Sequence, residues 1–463
     1  MTDLALVDSL LSASTHPDPA FPRFHPRPAQ GWINDPNGIS YINGRYHVFF
    51  QYNPDSARHS QIQWGHVSSP DLVRWEEHPV ALSPQPGGPD SAGCWTGVVT
   101  SDGGVPTAAY SGVRDHGGHS QVVIARGSGD LVTWAQDGHV AASMPDDPFV
   151  TAVRDPFIFR FNGARYAMQG AGLADGRAAL LLYTVEDMND WKYQGIWLTT
   201  ADPVAAVHTP AEIWECPQLV QVPSDSSDAW VMMFSLWLTE DQHEHINGVG
   251  HLVGSLTEDP ATGLPVFTPQ SGGKSDLGRD FYAPQIVQLS SGTSPDSSPA
   301  ALLWGWANEG PGRDGRRGRT QAKIDDAGWA GVLTHPRVLS VVDGALAVSP
   351  APEVDAYRGP MIAAGATGAV VLPGFAEVLV GGGVGSDPVE LVLGSGAEAQ
   401  VVYSGPLAAG EELRIFLDAS LVEVYRSGAV ATTLRAYPAP GEEWQLTVPA
   451  GATADVWELT RPA

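Results

Sequence analysis

The chain has 463 residues, 43% of them hydrophobic, with 52 acidic against 25 basic side chains and a formal charge of −27. That length suggests two domains or three, and the acidic balance argues against nucleic-acid and anionic-membrane partners, which select basic surfaces. A neutral small-molecule substrate fits such a charge.

In chain order, the opening "MTDLALVDSLLSASTHPDP" has no basic n-region and carries Asp3 and Asp8, which argues against a secretory signal. A cytoplasmic chain is expected, with a secreted protein given without its leader as the alternative. No apolar run is long enough to span a bilayer. Residues 1–24 read as an extension. Beyond them, 52 Gly and 38 Pro break the chain into short hydrophobic runs, the texture of an all-β protein.

"GWINDPNG", Gly31 to Gly38, is rich in turn formers and precedes a strand pattern, "ISYINGRYHVFFQYNP". A Pro or Gly followed by a short β run returns at Pro36, Gly97, Pro156, Pro217 and Pro284, at intervals of 61, 59, 61 and 67. A second marker, "SPDLVRW", "SGDLVTW" and "VEDMNDW", places Asp71, Asp130 and Asp187 at intervals of 59 and 57. Two markers with one period indicate repeated units. About four strand patterns per unit and five units predict a five-bladed β-propeller over residues 25–340. Residues 341–355 read as a linker. Residues 356–463 alternate apolar and polar with glycine turns and lack the period, which predicts a β-sandwich.

In a propeller the start of each innermost strand faces the central channel, so Asp35, Asp155 and Glu215 should converge there. Oxygen ligands would suit Ca²⁺ or Mg²⁺, but no loop near them has EF-hand spacing; no metal and no cofactor are expected. Glycoside hydrolysis needs two carboxyl groups in different protonation states. Amide donors around Asp35 (Asn34, Asn37) should favour its carboxylate, and the more apolar surroundings of Glu215 should raise its pKa. Arg154 beside Asp155 suggests a fixed anion. The assignment is Asp35 as nucleophile, Glu215 as general acid/base and Asp155 as substrate holder. Trp32, Trp64, Trp95, Tyr282, Trp304 and Trp306 lie near the blade starts, where they could stack on sugars or simply fill the core.

The ordered motifs "WINDPNG", "QYNP", "WGH", "RDP", "WECPQL", "DFYAPQ" and "GWAGVLTHPR" resemble those of glycoside hydrolase family 32, and "LRIFLDASLVEVYRSG" resembles that family's sandwich signature. The resemblance implies a retaining β-fructofuranosidase acting on sucrose or a related fructoside, with Asp35, Glu215 and Asp155 in the same three roles. It also implies a fructose pocket lined by Asn34, Gln51, Trp95, Thr96 and Arg154, with Tyr282 and Trp306 as extensions. Many members carry Ser where Thr96 stands and Trp near His59, which leaves the outer wall open. Sucrose-6-phosphate, inulin and levan as substrates, fructosyl transfer, and a non-catalytic fructan-binding protein all remain alternatives.

Other features are read more plainly. His243, His245 and His251 lack the H-E-x-x-H order and belong to a loop and strand. Arg313 to Arg319 form a solvated loop, with phosphate binding as the alternative. The glycines near Gly381 precede a strand, so a phosphate loop is not expected. Cys216 reads as a small pocket-wall residue, and nothing in the sequence supports pairing it with Cys94.

Overall fold

The computed structural model describes residues 15–462, apart from 116–118, 226–227, 240–244, 246, 290–299, 310–317 and 383–386. It is nearly all β. Among the described residues two short helices, Pro203–His208 and Gln321–Ala327, interrupt the strands. Among the described residues no helix is long and apolar enough to cross a membrane.

Five antiparallel sheets follow one another along the chain. Their first strands are Gly31–Ile42, Gly93–Asp102, Val150–Phe161, Ile213–Val222 and Phe281–Leu289. Each sheet then adds three strands in chain order, for example Arg45–Asn53, Gln63–Ser69 and Glu76–Leu82 in the first. The first strands pack on one another in sequence, and the fifth packs back on the first. Trp329–Ala330 pairs in parallel with Gly31 and Trp32, stitching the chain after the fifth sheet's second strand to the first sheet. The residues expected to be a linker carry more structure than that. Ala345–Pro350 is a full strand paired with Arg337–Val342, which completes the fifth sheet, and Pro352–Tyr357 is a 3-10 turn.

The repeat marker has a physical counterpart. In all five first strands the register slips where the marker lies, leaving 34–35, 95–96, 155–156, 216–217 and 283–284 without ladder partners. Proline has no N–H to give the ladder, and Pro156, Pro217 and Pro284 lie inside three of the five bulges, while Pro36, paired with Phe50, directly follows the first. Asp155, Cys216 and Ala283, each just before its proline, take positive φ angles of 57°, 49° and 50°. Such backbone costs roughly 1–3 kcal/mol per residue and persists only where its surroundings hold it. Here the N–H groups are captured: Asp155 by Ser111 Oγ at 2.8 Å, Ala283 by Ser235 Oγ at 2.9 Å and Cys216 by Asp155 Oδ2 at 2.9 Å.

Two further sheets, of six and four strands, follow between Arg358 and Leu459. Alternating residues such as Val378, Val380, Leu391, Ile415, Leu446 and Val456 form their shared core. A buried polar seam joins these sheets to the rest. Arg337 pairs with Asp276 at 2.8 Å and Glu423 at 2.6 Å, and His25 lies between Asp418 at 2.6 Å and Glu423 at 2.9 Å. Trp64 and Trp304 are fully buried, so both are core residues rather than sugar platforms.

Candidate active site

The bulges aim three carboxyl groups into one cavity of about 690 Å³, within the range of small-molecule sites. Asp35 comes from the first sheet, Asp155 from the third and Glu215 from the fourth.

Asp35 is held from several sides. Asn34 Nδ2 donates to its Oδ1 at 3.2 Å, Gln51 Nε2 donates to its Oδ2 at 3.0 Å, and the Thr96 hydroxyl donates to the same oxygen. The Cys216 thiol lies 3.5 Å from Oδ2. Trp32 Nε1 fixes Asn34 at 2.9 Å, and Asn34 in turn donates to Gln51 Oε1 at 3.0 Å, so the donors are themselves oriented. Of the two amides expected beside Asp35, Asn34 bonds it; Asn37 does not, and Gln51 supplies the second amide donor, yet these bonds do not dominate. Burial pushes the Asp35 carboxyl up to about 6, the Glu215 charge adds to the rise, and hydrogen bonds from Thr96, Cys216 and Asn34 only offset part of it.

Asp155 is buried and accepts the Cys216 N–H at 2.9 Å. Burial, then the Glu215 charge, drives its carboxyl upward, against the pull of Arg154. It is therefore not the simple fixed anion that its neighbour in sequence suggested. Arg154 instead reaches Glu215, with Nη1 2.7 Å from Oε1. Tyr282 donates its hydroxyl to the other oxygen, Oε2, at 2.8 Å. Glu215 thus sits in a cationic, hydrogen-bonded setting rather than an apolar one. Of its sequence neighbours, Trp214 packs into the core and the Cys216 thiol turns to Asp35 and Asp155.

Asn34, Gln51, Trp95, Arg154, Tyr282 and Trp306 all line the same cavity as the three carboxyl groups. Thr96 does not: it is only 2% exposed and acts on Asp35 from behind. His59 stands between Trp32 and Trp95, its ring edge-on to both at 6.1 and 5.8 Å. His245 lines the cavity and packs on Tyr282 at 4.3 Å, whereas His251 is buried in the fourth sheet. His243, Arg313 to Arg317 and part of the glycine run after Gly381 lie outside the described residues. Cys94 and Cys216 are both buried free thiols in different sheets.

Sequence reasoning missed Trp237, Glu212 and Thr239, which form another part of the wall. Trp237 faces the Arg154 guanidinium at 5.8 Å, and Glu212 Oε2 accepts the Thr239 N–H at 3.3 Å. None sits in a marker motif, and Trp237 ends a second strand whose apolar run looks like plain core.

Residues 25–350 match the family model described as the glycosyl hydrolases family 32 N-terminal domain, and residues 394–460 match that family's C-terminal model. The chain belongs to glycoside hydrolase family 32. Among curated relatives, the Zymomonas mobilis sucrose-6-phosphate hydrolase is 30% identical over 354 residues, covering 73% of this chain and 63% of the relative. Escherichia coli raffinose invertase is 30% identical over 347 residues, 73% of this chain and 66% of the relative. The chain therefore spans just under two thirds of the length of these relatives. The Salmonella typhimurium sucrose-6-phosphate hydrolase aligns over more, 95% of this chain and 93% of its own, at 27% identity. Among solved structures, a Bombyx mori beta-fructofuranosidase superposes with a TM-score of 0.78 at 22% identity, covering 99% and 98% of the two chains. Fructan 1-exohydrolase IIa from Cichorium intybus gives 0.76 at 21% identity, covering 96% and 98%. At that identity the likeness speaks for the fold.

Proposed function

We propose that this chain is a retaining β-fructofuranosidase, a five-bladed propeller followed by a sandwich, that cleaves sucrose or a similar neutral fructoside. The propeller reading rests on the five successive sheets whose first strands pack in a closed sequence. The catalytic reading rests on one observation above others. Asp35 and Glu215 face one cavity, each clamped by its own set of donors: Gln51, Thr96 and Asn34 on the first, Arg154 and Tyr282 on the second.

In this reading the ionised Asp35 attacks the anomeric carbon of the fructosyl unit while Glu215 gives its proton to the departing glycosidic oxygen. A covalent fructosyl-enzyme forms, and the leaving sugar departs as an alcohol. Glu215, now a carboxylate, takes a proton from water as the water attacks the same carbon. The Asp35 bond breaks, and fructose leaves with its configuration retained after two inversions. Asp155, driven toward the protonated form, can both donate to and accept from fructose hydroxyls. Trp32, Trp95 and Trp306 offer apolar faces for the sugar rings.

A neutral substrate is favoured by the charges at the wall. Among the described lining residues Arg154 is the one permanent cation, and Glu215 already engages it; Glu212 adds negative charge, while Glu309 is paired with Arg319 and Arg435. The test is time-resolved NMR of the protein with sucrose, reading the anomer of fructose before mutarotation. Early β-fructofuranose supports the double displacement. Inverted product overturns it, and cleavage of sucrose-6-phosphate in strong preference to sucrose overturns the neutral-substrate reading.

A further inference from the structure

A second cavity, of about 230 Å³, shares no lining residue with the first and opens where the segment Pro22–Arg27, the turn at Val73–Trp75, Tyr357 and Arg461 meet. Its walls are fixed by their own hydrogen bonds. Tyr357 donates its hydroxyl to the Val73 carbonyl at 3.0 Å, and Trp75 Nε1 donates to the Leu72 carbonyl at 3.1 Å.

Four arginines line this small space in a chain of formal charge −27, and the buried Arg27 is spent on the backbone carbonyls of Pro28, Gly31, Ala330 and Gly331. Arg74 is engaged with Asp71 at 2.8 Å. Arg23 and Arg461 are different. Arg461 Nη2 donates to the Arg23 backbone carbonyl at 2.7 Å, which brings the two residues together. The Arg23 guanidinium lies over the Phe375 ring at 4.7 Å, and its Nε is buried without a hydrogen-bond partner. Among the described residues neither guanidinium meets a carboxylate. The nearby Asp418 is already used, accepting the N–H groups of Arg23 and Phe24 at 2.7 and 2.8 Å and pairing with His25 at 2.6 Å.

Two arginines that line one small cavity without meeting a carboxylate, one of them with a buried N–H left over, leave that space electrostatically incomplete. The planar fork of arginine suits a tetrahedral or carboxylate oxyanion by paired hydrogen bonds. The space is smaller than the roughly 300–1,000 Å³ of ordinary ligand sites, which limits the occupant to a compact group. We infer that this cavity binds a small oxyanion, a phosphate group held by Arg23 and Arg461 with Arg74 at its rim. The occupant would tie the segment before the first sheet to the C-terminal tail across the seam between the two halves of the fold. Rigid walls lower the cost of binding, and any ligand that prefers the folded state raises its stability by mass action.

The experiment is thermal unfolding of the full chain against inorganic phosphate, with sodium chloride at matched ionic strength as control and glycerol phosphate as a second arm. The expected result is a saturable rise in Tm with phosphate beyond that in chloride, and its loss in Arg461→Gln. Arg461 is exposed and lies outside the strand Ala452–Leu459, so this variant should fold, and unchanged fructoside cleavage by it would show an intact catalytic site. An equal effect of both phosphates assigns a free oxyanion, and a larger effect of the ester assigns a phosphorylated metabolite. An identical rise in chloride, or a phosphate response that survives in Arg461→Gln, overturns the site. The second result would move the anion elsewhere, the catalytic cavity included.

Discussion

Thr96 donates its hydroxyl to Asp35 Oδ2 from the neighbouring sheet, 61 positions along the chain, and is itself held by Gln51 Nε2 at 2.7 Å. Because Gln51 Nε2 can only donate, the Thr96 oxygen accepts from it, and its own proton is directed at Asp35. This bond opposes the burial that carries the Asp35 carboxyl up to about 6. Removing it in Thr96→Val should therefore push that carboxyl higher still. If Asp35 must be ionised to attack, the acidic limb of the kcat/KM profile moves to higher pH, and the variant loses most at low pH. Thr96→Ser keeps the hydroxyl and should leave the limb near its original place. A Thr96→Val profile that superposes on the parent would detach Asp35 from the acidic limb.

The two carboxyl groups should also separate by leaving group. Asp35→Asn removes the attacking atom and should lower kcat by several orders of magnitude on every fructoside. Glu215→Gln removes only the proton donor and the base. It should cost less with an activated aryl fructoside, whose departing oxygen needs no proton, than with sucrose, by roughly 10²-fold or more. Equal losses on both substrates would place the acid elsewhere. Circular dichroism of both variants should match the parent, since each replacement keeps the shape of the side chain.

How much of this was legible beforehand depends on the residue. The five bulges could be found because proline cannot donate to a ladder, and the chain marks each irregularity with a Pro or Gly at a regular interval. Convergence of Asp35, Asp155 and Glu215 followed from that periodicity. Their electrostatics did not. Burial at Asp35 outweighs the amides beside it, and the partner of Glu215 is Arg154, 61 residues away, a pairing that no local pattern announces. Ala345–Pro350 read as a linker because its apolar residues fall outside the repeat, although Arg337–Val342 pairs with it along its whole length. Trp237 was hidden for the opposite reason, since it ends an ordinary core strand.

The polar seam makes stability depend on alkaline pH. His25 is fully enclosed, and burial by itself would lower its pKa. Hydrogen bonds with Asp418 and Glu423 outweigh that and raise it to about 9, against 6.5 for a free imidazole. A group with a raised pKa in the folded state contributes stability that is complete below about pH 6.5 and is lost as pH rises through 9. Thermal unfolding should accordingly show Tm falling between pH 7 and 9.5. In His25→Gln the parent Tm should drop at pH 6.5, and the fall between those two values should flatten. A slope unchanged in that variant would assign the alkaline loss to other groups.

The chain that stitches the sheets together leaves no room at Gly331. Its φ is +75°, and a Cβ there would lie 1.9 Å from the Ile33 carbonyl oxygen and 2.8 Å from Trp306 Nε1. The same residue gives its N–H to Glu309 Oε1 at 3.0 Å, and its carbonyl accepts from the buried Arg27. Gly331→Ala should cost roughly 2–4 kcal/mol, from unfavourable backbone and a clash that only strand movement relieves. Since Ile33 precedes Asn34 and Asp35, and Trp306 lines the cavity, the strain should reach the site as well. A lower Tm together with a raised KM for sucrose is the expected pair of results. A drop in Tm with unaltered kinetics would mean that the bulge holding Asp35 is braced independently of the stitch, by Asn34, Gln51 and Thr96.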